Sequence, residues 1–367
     1  MILDQALETT MADYIDTLRE PLLNLSIKNM GITHAFSQDE GRLRLNLRAG
    51  FPIEPLEKTL RPLLERYLQQ VMQDVAFEVT FESCIRPHRT QMASKGLRGI
   101  KNTLAIGSGK GGVGKSTVAL NLAVTLAKAG ARVGLLDADI YGPSIPLMLG
   151  AASGSVNVTE EDRYHPLPMH GVQAMSIAYL MDSAQALIWR GPMLAKSLMH
   201  MLDNTQWDNL DYLLIDLPPG TGDISLSLAQ KVPLTSAVVV TTPQNVATLD
   251  AQKALQLFEK LQVNVLGLIE NMSVHTCSHC GHQESIFGNG GAHALSKAYQ
   301  VDLLGQLPLD TRIQRAGDTG NPSLIQNTPD LADTWLKIAL RIAIELGKRP
   351  LNYADKLPEI VLETTTC

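Results

Sequence analysis

Apolar residues change their spacing several times along this chain. Over residues 1–25, Leu3, Leu7, Met11, Tyr14, Ile15 and Leu18 recur at helical intervals, which predicts a helix. Residues 31–37 read as a strand and residues 38–41 as a turn. Leu43, Leu45 and Leu47 then alternate with Arg42, Arg44, Asn46 and Arg48, the signature of a half-buried strand. Leu56, Leu60, Leu63, Leu64, Leu68 and Val71 return to helical spacing, and Pro62 is expected to bend or restart that helix. Phe77, Val79 and Phe81 alternate again. Residues 1–85 therefore predict a small α+β domain, in which no catalytic constellation is visible. Its lone Cys84 reads as structural.

Residues 86–102 break the pattern. They are polar, carry five basic side chains and no acid, and read as a linker and solvated hinge. Beyond them, short apolar runs alternate with helical stretches. Strands are predicted at 104–107, 132–137, 172–177, 212–216, 237–241, 265–269 and 303–307, with helices at 115–129, 192–202, 223–231 and 246–261. A last helix is predicted over 330–346. Continuous apolar runs suit strands covered on both faces, so the fold class is α/β: a mostly parallel sheet flanked by helices. This second domain spans residues 103–347, and residues 348–367 read as an extended tail.

The first of those strands runs into Gly109, Gly114, Lys115 and Ser116, which fit the phosphate-loop pattern G-x-x-x-x-G-K-[ST]. Glycines let backbone N–H groups converge on one spot at a helix N-terminus, which makes an anion nest. The nucleotide-binding set is then Gly107, Ser108, Gly109, Gly111, Gly112, Val113, Gly114, Lys115, Ser116 and Thr117. Lys115 is expected to reach the β- and γ-phosphates, and the Ser116 hydroxyl to ligate magnesium. A second lysine, Lys110, lies inside the loop, which the general pattern does not demand.

Ligands of open parallel sheets sit at the carboxyl ends of the strands. Two predicted strands end in acids there: Asp137 and Asp139 on one, Asp216 on another. Asp216, after an unbroken apolar run, suits the magnesium shell, with Asp137 beside it. Asp139 suits the orientation of an attacking water. Catalysis on these terms is positioning and charge stabilisation.

The composition changes this picture little. Hydrophobic residues make up 45% and charged residues 19%, which allows a sizeable core, and the net charge of −6 argues against a broad nucleic-acid surface. The first residues lack a basic stretch leading into an apolar one, and no apolar run suits a membrane span, so neither a secretory leader nor a membrane partner is expected. Four cysteines are too few to staple the chain, and reduced thiols in the cytoplasm are the expectation.

Residues 109–117 resemble the deviant Walker A motif of the MinD/ParA-type ATPases. The resemblance implies a P-loop NTPase fold and a homodimer with nucleotides sandwiched between subunits. Lys110 would then reach across to the partner's nucleotide, like an arginine finger in trans. Residues 207–223 are similar, more narrowly, to the characteristic segment of the Mrp/ApbC family of iron–sulfur cluster carrier ATPases. That similarity covers about residues 100–345, and residues 1–85 are more weakly similar to the small domain that precedes this ATPase. It implies that Asn271 hydrogen-bonds the adenine base and that residues 308–310 close over it.

Cys277 and Cys280 form a C-x-x-C pair soon after Asn271. Tetrahedral zinc or a cubane cluster needs four ligands, so one chain is short by two. In one reading a symmetric dimer completes a bridging 4Fe-4S cluster, in agreement with Lys110 and with the family. In a second, histidines between His275 and His293 complete a zinc site. In a third, the pair is redox-active.

The leading expectation is an ATPase that binds a bridging 4Fe-4S cluster and passes it to apo iron–sulfur proteins, with cluster scaffold proteins as further partners. A spatial-organising ATPase of the MinD/ParA type is an alternative, although residues 351–364 are acidic and interrupted by Pro358 rather than a basic amphipathic helix. A reductase component resembling the nitrogenase iron protein is another, although that relative's two cysteines lie far apart in sequence.

Overall fold

Strands that are apolar at every position need cover on both faces, and this chain supplies it. The computed structural model describes residues 5–352, except 40–41, 73–74, 93–95, 140–141, 153–155, 158, 160–162 and 181–190. The expected tail therefore lies, beyond residue 352, outside the described residues.

The small domain comprises α1 (Gln5–Thr17), β1 (Arg19–Glu20), β2 (Leu25–Ser26), β3 (Thr33–Asp39), β4 (Arg42–Ala49), α2 (Glu54–Val71) and β5 (Phe77–Ser83). β4 is central, antiparallel to β3 and parallel to β5. Its buried Leu43, Leu45 and Leu47 lie in one apolar cluster with Leu56, Leu60, Leu64 and Leu68 of α2. Each such side chain contributes roughly 1.5–3 kcal/mol on burial. Two expectations are corrected. The first helix ends at Thr17, and residues 18–26 form a short hairpin instead, with Asn24 in the left-handed region. α2 continues through Pro62 as one helix, sustained by its buried leucine stripe rather than restarted.

The expected hinge is also corrected: residues around it are fastened to the second domain. Gln91 Nε2 donates to the Ala229 and Val232 carbonyls, and its Oε1 accepts from the Leu234 amide at 2.6 Å. His88 is buried, its Nδ1 2.9 Å from Asn102 Oδ1. Arg89 N donates to Pro350 O, and Asn352 N to Pro87 O. The partners of Gln91, Arg89 and Pro87 are distant in sequence, so composition alone concealed them.

The second domain begins with β6 (Ile100–Ser108), α3 (Lys115–Lys128), β7 (Val133–Asp137), α4 (Ile145–Met148), β8 (Leu167–Met169), β9 (Val172–Ser176) and α5 (Gly191–Asn204). It continues with β10 (Leu210–Asp216), α6 (Asp223–Lys231), β11 (Ser236–Thr241), α7 (Asn245–Lys260) and β12 (Val265–Glu270). β13 (His275–Thr276), β14 (Gln283–Glu284), α8 (Gly291–Tyr299), β15 (Leu303–Gln306), α9 (Thr311–Asp318), α10 (Ser323–Gln326) and α11 (Pro329–Gly347) complete it.

Eight strands form one sheet in the order β15-β12-β11-β6-β10-β7-β9-β8. All pair in parallel except the β8 edge, which sequence periodicity missed. Alternate residues serve opposite faces. Leu104 and Ile106 of β6, Tyr212 and Leu214 of β10, and Val238 and Val240 of β11 join the cluster with α3 and α11. Ala105, Leu213, Ile215, Ala237 and Val239 join the one with α5, α6 and α7. The first cluster also takes in the small-domain core, so the two domains share one apolar interior. Central β6 has β10 on one side and β11 on the other, and its carboxyl end is the crevice where the phosphate loop sits. Among the described residues no helix is long and apolar enough to cross a membrane.

Candidate functional site

The loop after β6 is shaped by what its glycines touch. A Cβ on Gly109 would overlap the carbonyl of Asp250 in α7, so only glycine lets the loop lie against that helix. Gly112 and Gly114 have φ of 81° and 82°, the left-handed region that glycine enters without strain. The loop borders an open cleft of about 260 Å³ whose lining includes Lys110, Gly114, Lys115, Ser116, Thr117 and Asp139. Here α3 begins and points its free N–H groups inward. Ser108 Oγ donates to the Lys110 carbonyl at 3.0 Å. Gly107, by contrast, packs against Phe258 in the interior.

The expected acids converge on the same crevice because parallel register brings strand ends level. Asp216 of β10 pairs with Asp137 of β7 on one side and Ile106 of β6 on the other. Lys115 Nζ lies 2.6 Å from Asp216 Oδ1 and 3.7 Å from Asp139 Oδ2. Asp216 Oδ2 is buried with no hydrogen-bond partner among the described residues. Asp137 accepts from the Asp139 amide at 3.1 Å, and from the Ile145 amide and the Ser176 hydroxyl. Burial, then the neighbouring Asp216 charge, pushes Asp137 well above the usual carboxylate range. Burial raises Asp216 too, against the pull of Lys115 and the Ser116 hydroxyl. Ser176, which orients Asp137, escaped the sequence because a serine closing an apolar strand gives no distinctive signal.

Asn271 follows β12 and is buried. Its Nδ2 donates to the Val113 carbonyl of the phosphate loop at 2.9 Å. The side chain assigned by resemblance to a base thus holds loop backbone in this structure. Residues 308–310 run beside the next segment: Leu309 N donates to Val274 O, and Leu307 O accepts from Ser273 N and Oγ. Asp310 caps α9, and hydrogen bonds from Arg312 hold it below the usual range. The preceding residue, Glu270, is buried. Its carboxylate accepts from Ala292 N at 3.1 Å and from Gln306 Nε2 at 2.6 Å. Glu270 closes an apolar strand, the same sequence signal that marks Asp216.

Between Asn271 and α8 stands a hairpin of β13 and β14 with the cysteine pair at its turn. Cys277 N donates to His282 O, and Gly281 N to Cys277 O, each at 2.9 Å. Cys280 is exposed and Cys277 half-buried, and both are free thiols. Hydrogen bonds from the backbone at Cys280 and then His279, with one from the Cys280 side chain, hold the Cys277 thiol below its ordinary range. Among the described residues no group of three or more His, Cys, Asp or Glu could hold a metal. The four histidines at 275–293 thus do not complete the pair within one chain, and His275 Nδ1 instead faces Glu284 at 3.4 Å.

Residues 99–343 match the protein family described as ParA: NUBPL iron-transfer P-loop NTPase. The chain is 42% identical over 343 residues to an iron-sulfur cluster carrier protein of Escherichia coli K12, covering 93% of each. It is 41% identical over 275 residues to the iron-sulfur cluster transfer protein NUBPL of Mus musculus, covering 72% of this chain and 86% of that one. Among solved structures, a nucleotide-binding protein of Archaeoglobus fulgidus in complex with ADP, with cobalt, superposes with a TM-score of 0.54 at 39% identity. That match covers 60% of this chain and 87% of the other.

Proposed function

The chain belongs to the ParA family of NUBPL iron-transfer P-loop NTPases, and on that premise we propose that it hydrolyses ATP and carries a 4Fe-4S cluster to apo iron–sulfur proteins. The observation that carries this reading is the Cys277–Cys280 turn. Backbone N–H groups aimed at the Cys277 sulfur favour thiolate, the ligating form, and the pair stands at the tip of a hairpin where a partner can reach it. Two thiolates per chain leave a cubane half-ligated, and a two-fold dimer supplies the other half. The cluster is cargo. It leaves by exchange of Cys277 and Cys280 for acceptor thiolates, with no net change in oxidation state.

The nucleotide binds in the loop after β6. Its N–H groups and Lys115 take the phosphates, and nucleotide binding by the Archaeoglobus relative supports this. The donor set fits a magnesium ion: Asp216 offers an unpartnered buried oxygen, with Asp137 and the Ser116 hydroxyl beside it. A bound magnesium would neutralise charge on the phosphates. Asp139 orients the water that attacks the γ-phosphorus. The bond to the β–γ bridging oxygen breaks, leaving ADP and inorganic phosphate.

Lys110 acts in trans in a homodimer formed over this face. Val246 and Leu249, on the helix that Gly109 packs against, are 64% and 61% exposed beside the loop, and a second copy would cover them. We place this activity in the cytoplasm, where thiols stay reduced. The test is anaerobic reconstitution with iron and sulfide. Iron–sulfur absorbance is expected in the wild-type protein and lost in Cys277→Ser/Cys280→Ser; equal absorbance in the two would refute the carrier role.

A further inference from the structure

One side chain joins the two halves of the site. Asn271 Nδ2 donates to the Val113 carbonyl at 2.9 Å, and it is buried, so water does not compete for the bond. A Cβ on Gly114 would overlap that same nitrogen, so the contact also requires glycine at the next position. In a trans peptide the carbonyl and the following N–H point in opposite directions. Pinning Val113 O therefore turns the Gly114 N–H away from Asn271, and Gly114 lines the phosphate cavity. Asn271 thereby aims one donor of the anion nest.

The chain around Asn271 is equally constrained. Glu270, one residue earlier, holds Ala292 N at the start of α8, where the excursion carrying the cysteines returns. Met272, one residue later, has φ of 57°, a left-handed conformation that a bulky side chain rarely adopts. Ser273 is tied through both its amide and its hydroxyl to Leu307 O. Cys277 follows four residues on. The cysteine hairpin thus has its base built on the residues that brace the phosphate loop, with little slack between them.

We propose that Asn271 is a positioning residue that transmits phosphate binding to the cysteine pair. Closure of the loop on a phosphate shifts the Val113–Gly114 peptide, the shift displaces Asn271, and the strained Met272 joint passes it to the hairpin. This rests on the proposed carrier function for its purpose, but not for its geometry. Coupling of this kind is reciprocal and commonly about 5- to 150-fold.

The test uses the cluster-free full chain and reads alkylation of Cys277 and Cys280 by iodoacetamide, resolved peptide by peptide. In wild-type protein, saturating ADP with magnesium is expected to change the Cys277 rate by ~5-fold or more. In Asn271→Ala, at a concentration that saturates the variant, the rate stays within about twofold of its nucleotide-free value, and Asn271→Gln restores part of the response. A wild-type ratio in Asn271→Ala overturns the proposal. Should that variant not fold, hydrogen exchange at the Cys277 and Gly281 amides of wild-type protein decides: a change on adding ADP supports the link, and no change overturns it. A thiol response in a protein that takes up no cluster would sink the carrier reading and still support the link.

Discussion

Lys115 Nζ and Asp216 Oδ1 lie 2.6 Å apart, with 5% and 0% of the side chains exposed. This lysine neutralises a buried acid that a phosphate-bound lysine would release. Removing one member of a buried pair leaves the other uncompensated, which costs about 3–5 kcal/mol. Lys115→Met is therefore expected to lower stability by that order in chemical denaturation and to weaken ATP binding roughly 10- to 100-fold by calorimetry. Unchanged stability would mean that Asp216 is already protonated when Lys115 is present.

Lys110 gives the opposite pattern. If it serves the partner's nucleotide, Lys110→Ala depresses hydrolysis by about 100-fold or more and leaves ATP binding nearly intact. Binding losses equal to those of Lys115→Met would contradict the in-trans role.

Gly109 is predicted to be irreplaceable even by alanine. The added Cβ would overlap the Asp250 carbonyl, backbone rather than a flexible side chain, so the loop or the start of α7 must move. Gly109→Ala is expected to cost about 1–3 kcal/mol and to lower ATP affinity. Gly111→Ala, which meets nothing, leaves stability within ~0.5 kcal/mol of wild type. Equal stabilities in thermal melts would show that the loop does not rest on α7.

Asp137 and Asp216 bind protons more tightly folded than unfolded, because burial raises both above their ordinary 3.8. Their ionisation therefore costs folding energy as pH rises through the raised values. The protein without nucleotide should lose up to about 1.4 kcal/mol per pH unit for each of the two carboxyls in that window. Asp137→Asn is expected to flatten this dependence in melts taken from about pH 5 to about pH 8, and to abolish hydrolysis. A steeper dependence in the variant would show that Asp137 is held ionised.

Much of this site was legible in the sequence because its signals are local. The phosphate loop is contiguous, and Asp137 and Asp216 each close an apolar run that can only be a covered strand. What stayed hidden depends on pairs distant along the chain. Gln91 on the Val232 carbonyl turned an apparent hinge into a strap, and no composition shows such a bond. Pro62 looked like a break because its missing N–H is a local defect, whereas the leucine stripe that keeps α2 whole acts through the core. Resemblance implies a base contact for Asn271, whereas its bond to Val113 spans 158 residues of sequence.

Two chains together are proposed to hold one cluster through Cys277 and Cys280. Native mass spectrometry of anaerobically reconstituted protein tests it most directly. A dimer carrying the mass of one 4Fe-4S cluster, and only cluster-free protein in Cys277→Ser/Cys280→Ser, is the predicted result. A cluster retained on single chains, or a cluster-loaded dimer in the double variant, would contradict it.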